Sequence, residues 1–170
     1  ENWQLDVEVR PLGRGEEATV GWSASVAERQ AETAAERLES AGGPGTEPSS
    51  TIDSRYRYVE THDKGSAIVI VATYDSSVAG FTAYGQPGKP AEDVGTTATD
   101  KFEAFVDTNA AVDSHMADQL VPFLALAGGR VRIPRVTEHV ETHLDLVNAF
   151  DLSVTVEHLE KGEARLVSPG

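Results

Sequence analysis

Residues 113–150 constrain the fold more than any other stretch, because two amphipathic helical patterns are joined by the short run RVRIPRV, so that helix, strand and helix must share one core. In the first pattern Met116, Leu120, Phe123, Leu124 and Ala127 recur at the spacing of a single buried face, leaving His115, Asp118 and Gln119 on another. Pro122 lies inside it. Lacking an N–H, it deprives the Asp118 carbonyl of its intrahelical donor, and a kink is expected there. Gly128 and Gly129 end the helix. The second pattern starts at Thr137, a capping residue type, with Val140, Leu144 and Val147 as its buried stripe and His139 in its first turn. Unpaired N–H groups and the positive end of the helix dipole suit that turn to a phosphate. His139 and His143, four apart, share another face.

Residue types alone leave these groups open to several readings. A histidine in a helical first turn is by itself an ordinary surface residue, and Asp118 with Gln119 reads as a solvated face. His139, Glu141 and His143 invite a zinc site, but the zincin order is H-E-x-x-H, whereas this chain reads H-V-E-T-H and places no third ligand by spacing. His62 and His158 have no context that suggests a role. The run GQPGKP at residues 85–90 lacks P-loop spacing and reads as a turn before a helix. There is no cysteine, so disulfides, thiolate metal sites and CxxC redox chemistry are excluded.

The HMADQL run at residues 115–120, the PFLALAGG run at residues 122–129 and the H-x-x-T motif of His139 and Thr142, leading into LDLVNAF, resemble in order and spacing the RNA 3'-terminal phosphate cyclases. GFTAYGQPGKPAEDV, at residues 80–94, is similar to the stretch before that family's last insert helix. Residues 1–79 match only in general layout. One departure is His143, where the family commonly has Asn.

The resemblance implies an α+β chain in three parts: residues 1–17, a strand and turn of the large domain; residues 18–107, a small insert domain with thioredoxin-like elements; and residues 108–170, the last βαβαββ repeat of the large, catalytic domain. The other repeats would lie in an N-terminal half, so the chain reads as the C-terminal half of a longer protein. The implied activity is a ligase-type nucleotidyl transfer. His139 attacks the α-phosphate of ATP and expels pyrophosphate, the RNA 3'-phosphate takes the AMP, and the neighbouring 2'-hydroxyl closes a 2',3'-cyclic phosphate. His115, Met116, Ala117, Asp118 and Gln119 correspond to the ATP-binding segment, and a divalent metal, Mg²⁺, is expected on the triphosphate. The implied partners are an RNA with a 3'-phosphate end and the N-terminal half of the same protein. A cyclase-like branch of the family lacks the histidine and works as an interaction protein in ribosome biogenesis; His139 favours the enzyme branch.

Charge runs against an RNA-binding surface: 28 Asp and Glu stand against 14 Lys and Arg, a net charge of −14. Only four of the basic residues are Lys, a composition that suits adaptation to high salt. At low ionic strength, where the Debye length reaches about 30 Å at 0.01 M, such a surface repels itself. The chain is therefore expected to melt at a higher temperature in molar KCl than in dilute buffer. Circular-dichroism melts in the two conditions check this, and an unchanged or lower value in KCl counts against halophilic adaptation.

The longest apolar run, residues 67–72, is too short to cross a membrane, nothing reads as a signal peptide, and a cytoplasmic protein is expected. Elsewhere, Leu5, Val7 and Val9 predict a strand and Val20, Trp22 and Ala24 a second. SVAERQAETAAERLES predicts a helix ending at Gly42 and Gly43, and GGPGTEPSSTIDS an exposed loop. Residues 55–61, 66–74 and 78–84 read as strands, the last two as a hairpin; a helix begins at Lys89-Pro90 and runs to about Val106. Leu152, Val154 and Val156 predict a strand that pairs with residues 164–167 across a turn.

Overall fold

The computed structural model describes residues 4–12, 25–40, 51–56, 65–74 and 77–169. The chain is α+β and divides into two compact units, Glu1–Ala104 and Phe105–Gly170.

In the first unit β1 (Gln4–Leu12), β2 (Thr51–Tyr56), β3 (Gly65–Thr73) and β4 (Val78–Gly85) form one sheet in the order β2-β1-β3-β4. The hairpin of β3 and β4 is as expected: Tyr74 N–H donates to the Ser77 carbonyl at 2.8 Å. Opposed pairs Ile68 with Ala83, Ile70 with Phe81 and Ala72 with Ala79 are all buried, one apolar face at period two. β1 pairs along its whole length with β3, from Gln4 opposite Thr73 to Leu12 opposite Gly65. Alternation shows that a strand has a buried face, but its partner is a non-local choice. β2 begins at Thr51, inside the stretch read as loop, and pairs parallel to β1. A parallel pair needs a long crossover, which α1 (Val26–Ser40) supplies. The strand expected at residues 20–24, the helix end at Gly42-Gly43, and residues 57–64 lie outside the described residues.

α1 buries Ala27, Gln30, Ala31, Ala34 and Leu38, at helical spacing. α2 (Ala91–Val106) follows a type II turn in which Lys89 N–H donates to the Gln86 carbonyl at 3.0 Å, with Pro87 at the second position and Gly88 at φ 86° in the third. Arg29 pairs with Glu92, and Arg37 with Asp100 and Glu103, tying α1 to α2. The hydrogen bonds that Arg37 donates to the Glu103 carboxylate raise the Arg37 pKa above its usual value. A Cβ at Gly95 would lie 2.8 Å from the backbone oxygen of Gln30, so the helices touch there through glycine. Backbone cannot swing aside, and Gly95→Ala is expected to lower stability by about 1–2 kcal/mol net despite alanine's better helix propensity. The midpoint of urea unfolding checks this.

The second unit is two-layered. β5 (Gly129–Ile133), β6 (Thr155–His158) and β7 (Ala164–Ser168) form an antiparallel sheet in the order β5-β7-β6. α3 (Ser114–Ala127) and α4 (Glu138–Asn148) contribute to the same core as one face of this sheet: Ala117, Val121 and Ala125 from α3, Val140 and Val147 from α4, Ile133, Ala164 and Leu166 from the strands. The turn before β7 carries Lys161 at φ 58°. α3 passes through Pro122 without a break. Its buried row corrects the expected one. Met116, Phe123 and Ala127 are exposed, Phe123 at 67%, and Leu120 and Leu124 are half-buried. The helix is apolar around most of its circumference, so periodicity cannot choose a row. The small side chains at 117, 121 and 125 let α3 approach the core closely, and packing chooses them.

Candidate active site

The two helices that carry the candidate residues start differently. At α3, the Asp113 carboxylate caps the helix by accepting from the N–H groups of His115, at 2.8 Å, and Met116, at 2.9 Å. Those donors are occupied by the chain itself and are not open to a ligand. Asp113 is only 8% exposed, and sequence reasoning missed this cap, although D-S-H-M carries its signal. Asp113→Ala is expected to destabilise the chain by about 1–2 kcal/mol, measured as a lower urea midpoint with an unchanged slope. At the other end the Gly128 N–H donates to the Leu124 carbonyl, the C-cap expected from the glycine pair.

At α4, Thr137 caps as expected, but its hydroxyl accepts only from Val140 N–H, at 3.2 Å. The N–H groups of Glu138 and His139 precede any intrahelical acceptor and have no partner among the described residues. His139 is the second residue of the helix and exposed, and Val140 behind it is wholly buried, so the core fixes the turn that presents the imidazole. Glu138 and Glu141 in the same turn are exposed and face the positive end of the dipole. Thr142 donates to the Glu138 carbonyl at 2.8 Å. His143 Nδ1 lies 2.9 Å from the His139 carbonyl oxygen; a carbonyl only accepts, so Nδ1 carries the hydrogen. An asparagine at 143 offers an N–H donor in place of that ring nitrogen.

The expected nucleotide segment splits. His115, Met116 and Gln119 are exposed and Asp118 is half-buried, whereas Ala117 is wholly buried and its side chain belongs to the core. Pro122 has no hydrogen to give the Asp118 carbonyl. Among the described residues no three His, Asp or Glu side chains gather at metal-binding distance. Neither helix carries a Lys or Arg. The nearest cation in sequence is Arg135, exposed, two residues before the Thr137 cap. Arg130, Arg132 and Arg135 were not singled out beforehand; the alternation in RVRI was the signal that could have found them.

Comparison with known proteins adds an independent observation. Residues 14–107 match the family model described as RNA 3'-terminal phosphate cyclase (RTC), insert domain. Over 105 residues the chain is 49% identical to an RNA 3'-terminal phosphate cyclase of Halobacterium salinarum, covering 62% of this chain and 31% of that protein. It is 37% identical over 147 residues to the Pyrococcus furiosus protein of the same name, covering 85% of the chain and 41% of the relative. The corresponding figures for Pyrobaculum aerophilum are 40% over 142 residues, 80% and 38%. The chain thus spans well under half the length of these relatives. No described helix is long and apolar enough to cross a membrane. With more than half of its residues matched by the family model, the chain belongs to the RNA 3'-terminal phosphate cyclase family.

Proposed function

We propose that this chain is the nucleophile-bearing part of an ATP-dependent RNA 3'-terminal phosphate cyclase, with residues 108–170 as the last repeat of the catalytic domain and the thioredoxin-like insert before it. The observation that carries the reading is the start of α4, where exposed His139 stands beside two N–H groups that the helix leaves without acceptors. Those donors suit a phosphate oxygen next to the attacking ring.

An imidazole nitrogen of His139 forms a bond to the α-phosphorus of ATP as the bond to the pyrophosphate oxygen breaks. The AMP then passes to the RNA 3'-phosphate, and attack of the adjacent 2'-hydroxyl on that phosphorus releases AMP and leaves the 2',3'-cyclic ester. Asp118, Gln119, His115 and Met116 are the side chains of α3 that would meet the nucleotide; Ala117 contributes through its packing. A divalent cation such as Mg²⁺ supplies charge neutralisation on the triphosphate when bound. The described residues offer no cluster of His, Asp or Glu side chains to hold one. Since α3 and α4 have no cationic side chain, the charges that meet the triphosphate must come from outside these helices, and a further partner segment of the same protein fits that need.

The test is direct. The intact protein, incubated with ATP labelled at the α-phosphate, is expected to retain acid-labile label through denaturing electrophoresis and to convert an RNA 3'-phosphate to a cyclic end. RNA binding with neither label nor cyclisation would instead place the protein with the non-catalytic, cyclase-like branch.

A further inference from the structure

On the outer face of the β5-β7-β6 sheet, away from its core, strand alternation brings Arg130 and Arg132 of β5 beside Arg165 of β7, because Val131, Ile133, Ala164 and Leu166 turn the other way into the core. Arg132 stands directly opposite Arg165, and Arg130 is about 6.8 Å further along β5. Glu157 of β6, opposite Arg165 on its other side, pairs with it at 2.8 Å. Arg130 and Arg132 have no ion pair with a described residue.

This grouping runs against both local energetics and composition. Like charges placed directly opposite in a sheet destabilise it. The chain has twice as many acidic as basic residues, yet three of its arginines share one small face. The charge of the unit is segregated: α3 and α4 hold Asp118, Glu138, Glu141 and Asp145 and no Lys or Arg, whereas the outer strand face is cationic. The row also has a direction. β5 runs from Gly129 to Ile133, and Pro134, exposed Arg135 and Val136 lead from its end to the Thr137 cap and His139. Guanidinium groups without a carboxylate partner match phosphate oxygens in geometry and charge.

We infer that the outer face of this sheet, through Arg130 and Arg132 with Arg165 beside them, is the docking track for the phosphate backbone of the RNA strand upstream of its reacting 3' end. The inference rests on the reading of RNA as substrate given above. It resolves the conflict between a net charge of −14 and a polyanionic substrate, since the strand needs only a local cationic path.

The intact protein and its Arg130→Ala/Arg132→Ala double variant are compared in two assays. AMP labelling with ATP alone reads the His139 chemistry without RNA and is expected to be equal in both. Binding of a 3'-phosphorylated single-stranded RNA, followed by fluorescence anisotropy across a salt series, is expected to weaken about tenfold at low salt in the variant. The slope of log K against log salt should fall by about 1.4, from two contacts at about 0.7 each. The Arg130→Gln/Arg132→Gln pair, which keeps the side-chain cover of the sheet, is expected to behave like the alanine pair, and Arg132→Lys to keep most of the affinity. Intact labelling with unchanged RNA affinity and slope overturns the inference and leaves the proposed function standing. A wild-type protein that neither labels nor binds RNA overturns the proposed function. A variant that alters the solution mass but not RNA affinity shows the face to be a protein interface, which also overturns the inference.

Discussion

His139→Ala is expected to reduce covalent AMP labelling of the intact protein to background while leaving its melting temperature unchanged within about 1 °C. The two halves of this expectation have separate causes. Loss of label follows from removing the only imidazole in the open first turn of α4: His143, four residues on, directs Nδ1 back to the His139 carbonyl. The unchanged melt follows from exposure, since the side chain of His139 is in solvent while Val140, Leu144 and Val147 hold the helix to the core. His143→Asn serves as the companion variant. It supplies a donor where Nδ1–H was, and labelling is expected to stay near wild type. Full labelling of His139→Ala would show the nucleophile to be elsewhere, whereas a collapsed melt would mean that the histidine is structural.

Leu166→Ala is expected to be the most damaging single truncation in the second unit, costing about 3 kcal/mol and lowering the urea midpoint accordingly. β7 is the central strand of its sheet, and Leu166 lies opposite both Val131 and Val156, wholly buried among residues of α3, α4 and β5. No neighbouring strand or helix can close the space without moving the others. Phe123→Ala, by contrast, removes a larger side chain that is 67% exposed, and is expected to change stability by less than about 1 kcal/mol. If Phe123→Ala proved the more destabilising, the row of α3 that faces the core would be the one read from periodicity, and the packing described above would be wrong.

These contrasts mark what local sequence could determine. Thr137 and Gly128 were legible because a cap bonds to residues three or four positions away. The β3-β4 hairpin, the Pro-Gly turn before α2 and the strand pair at the end of the chain were legible for the same reason. Each is a contact between near neighbours, governed by backbone geometry that residue types report directly. His139 was marked by its place in a motif, and that place lies in the first turn of α4.

Tertiary structure alone decided the rest. An alternating strand at residues 4–12 carries no label for its partner, and only the assembled sheet pairs β1 with β2 and β3. α3 offers several apolar rows, and the choice of Ala117, Val121 and Ala125 was made by the close packing of a core they share with Ile133 and Leu166. The arginine face depends on the register that sets Arg132 against Arg165, thirty-three positions apart in the chain. Composition, with its net −14, pointed away from such a surface, because net charge averages over the molecule while strand register concentrates a few like charges on one face.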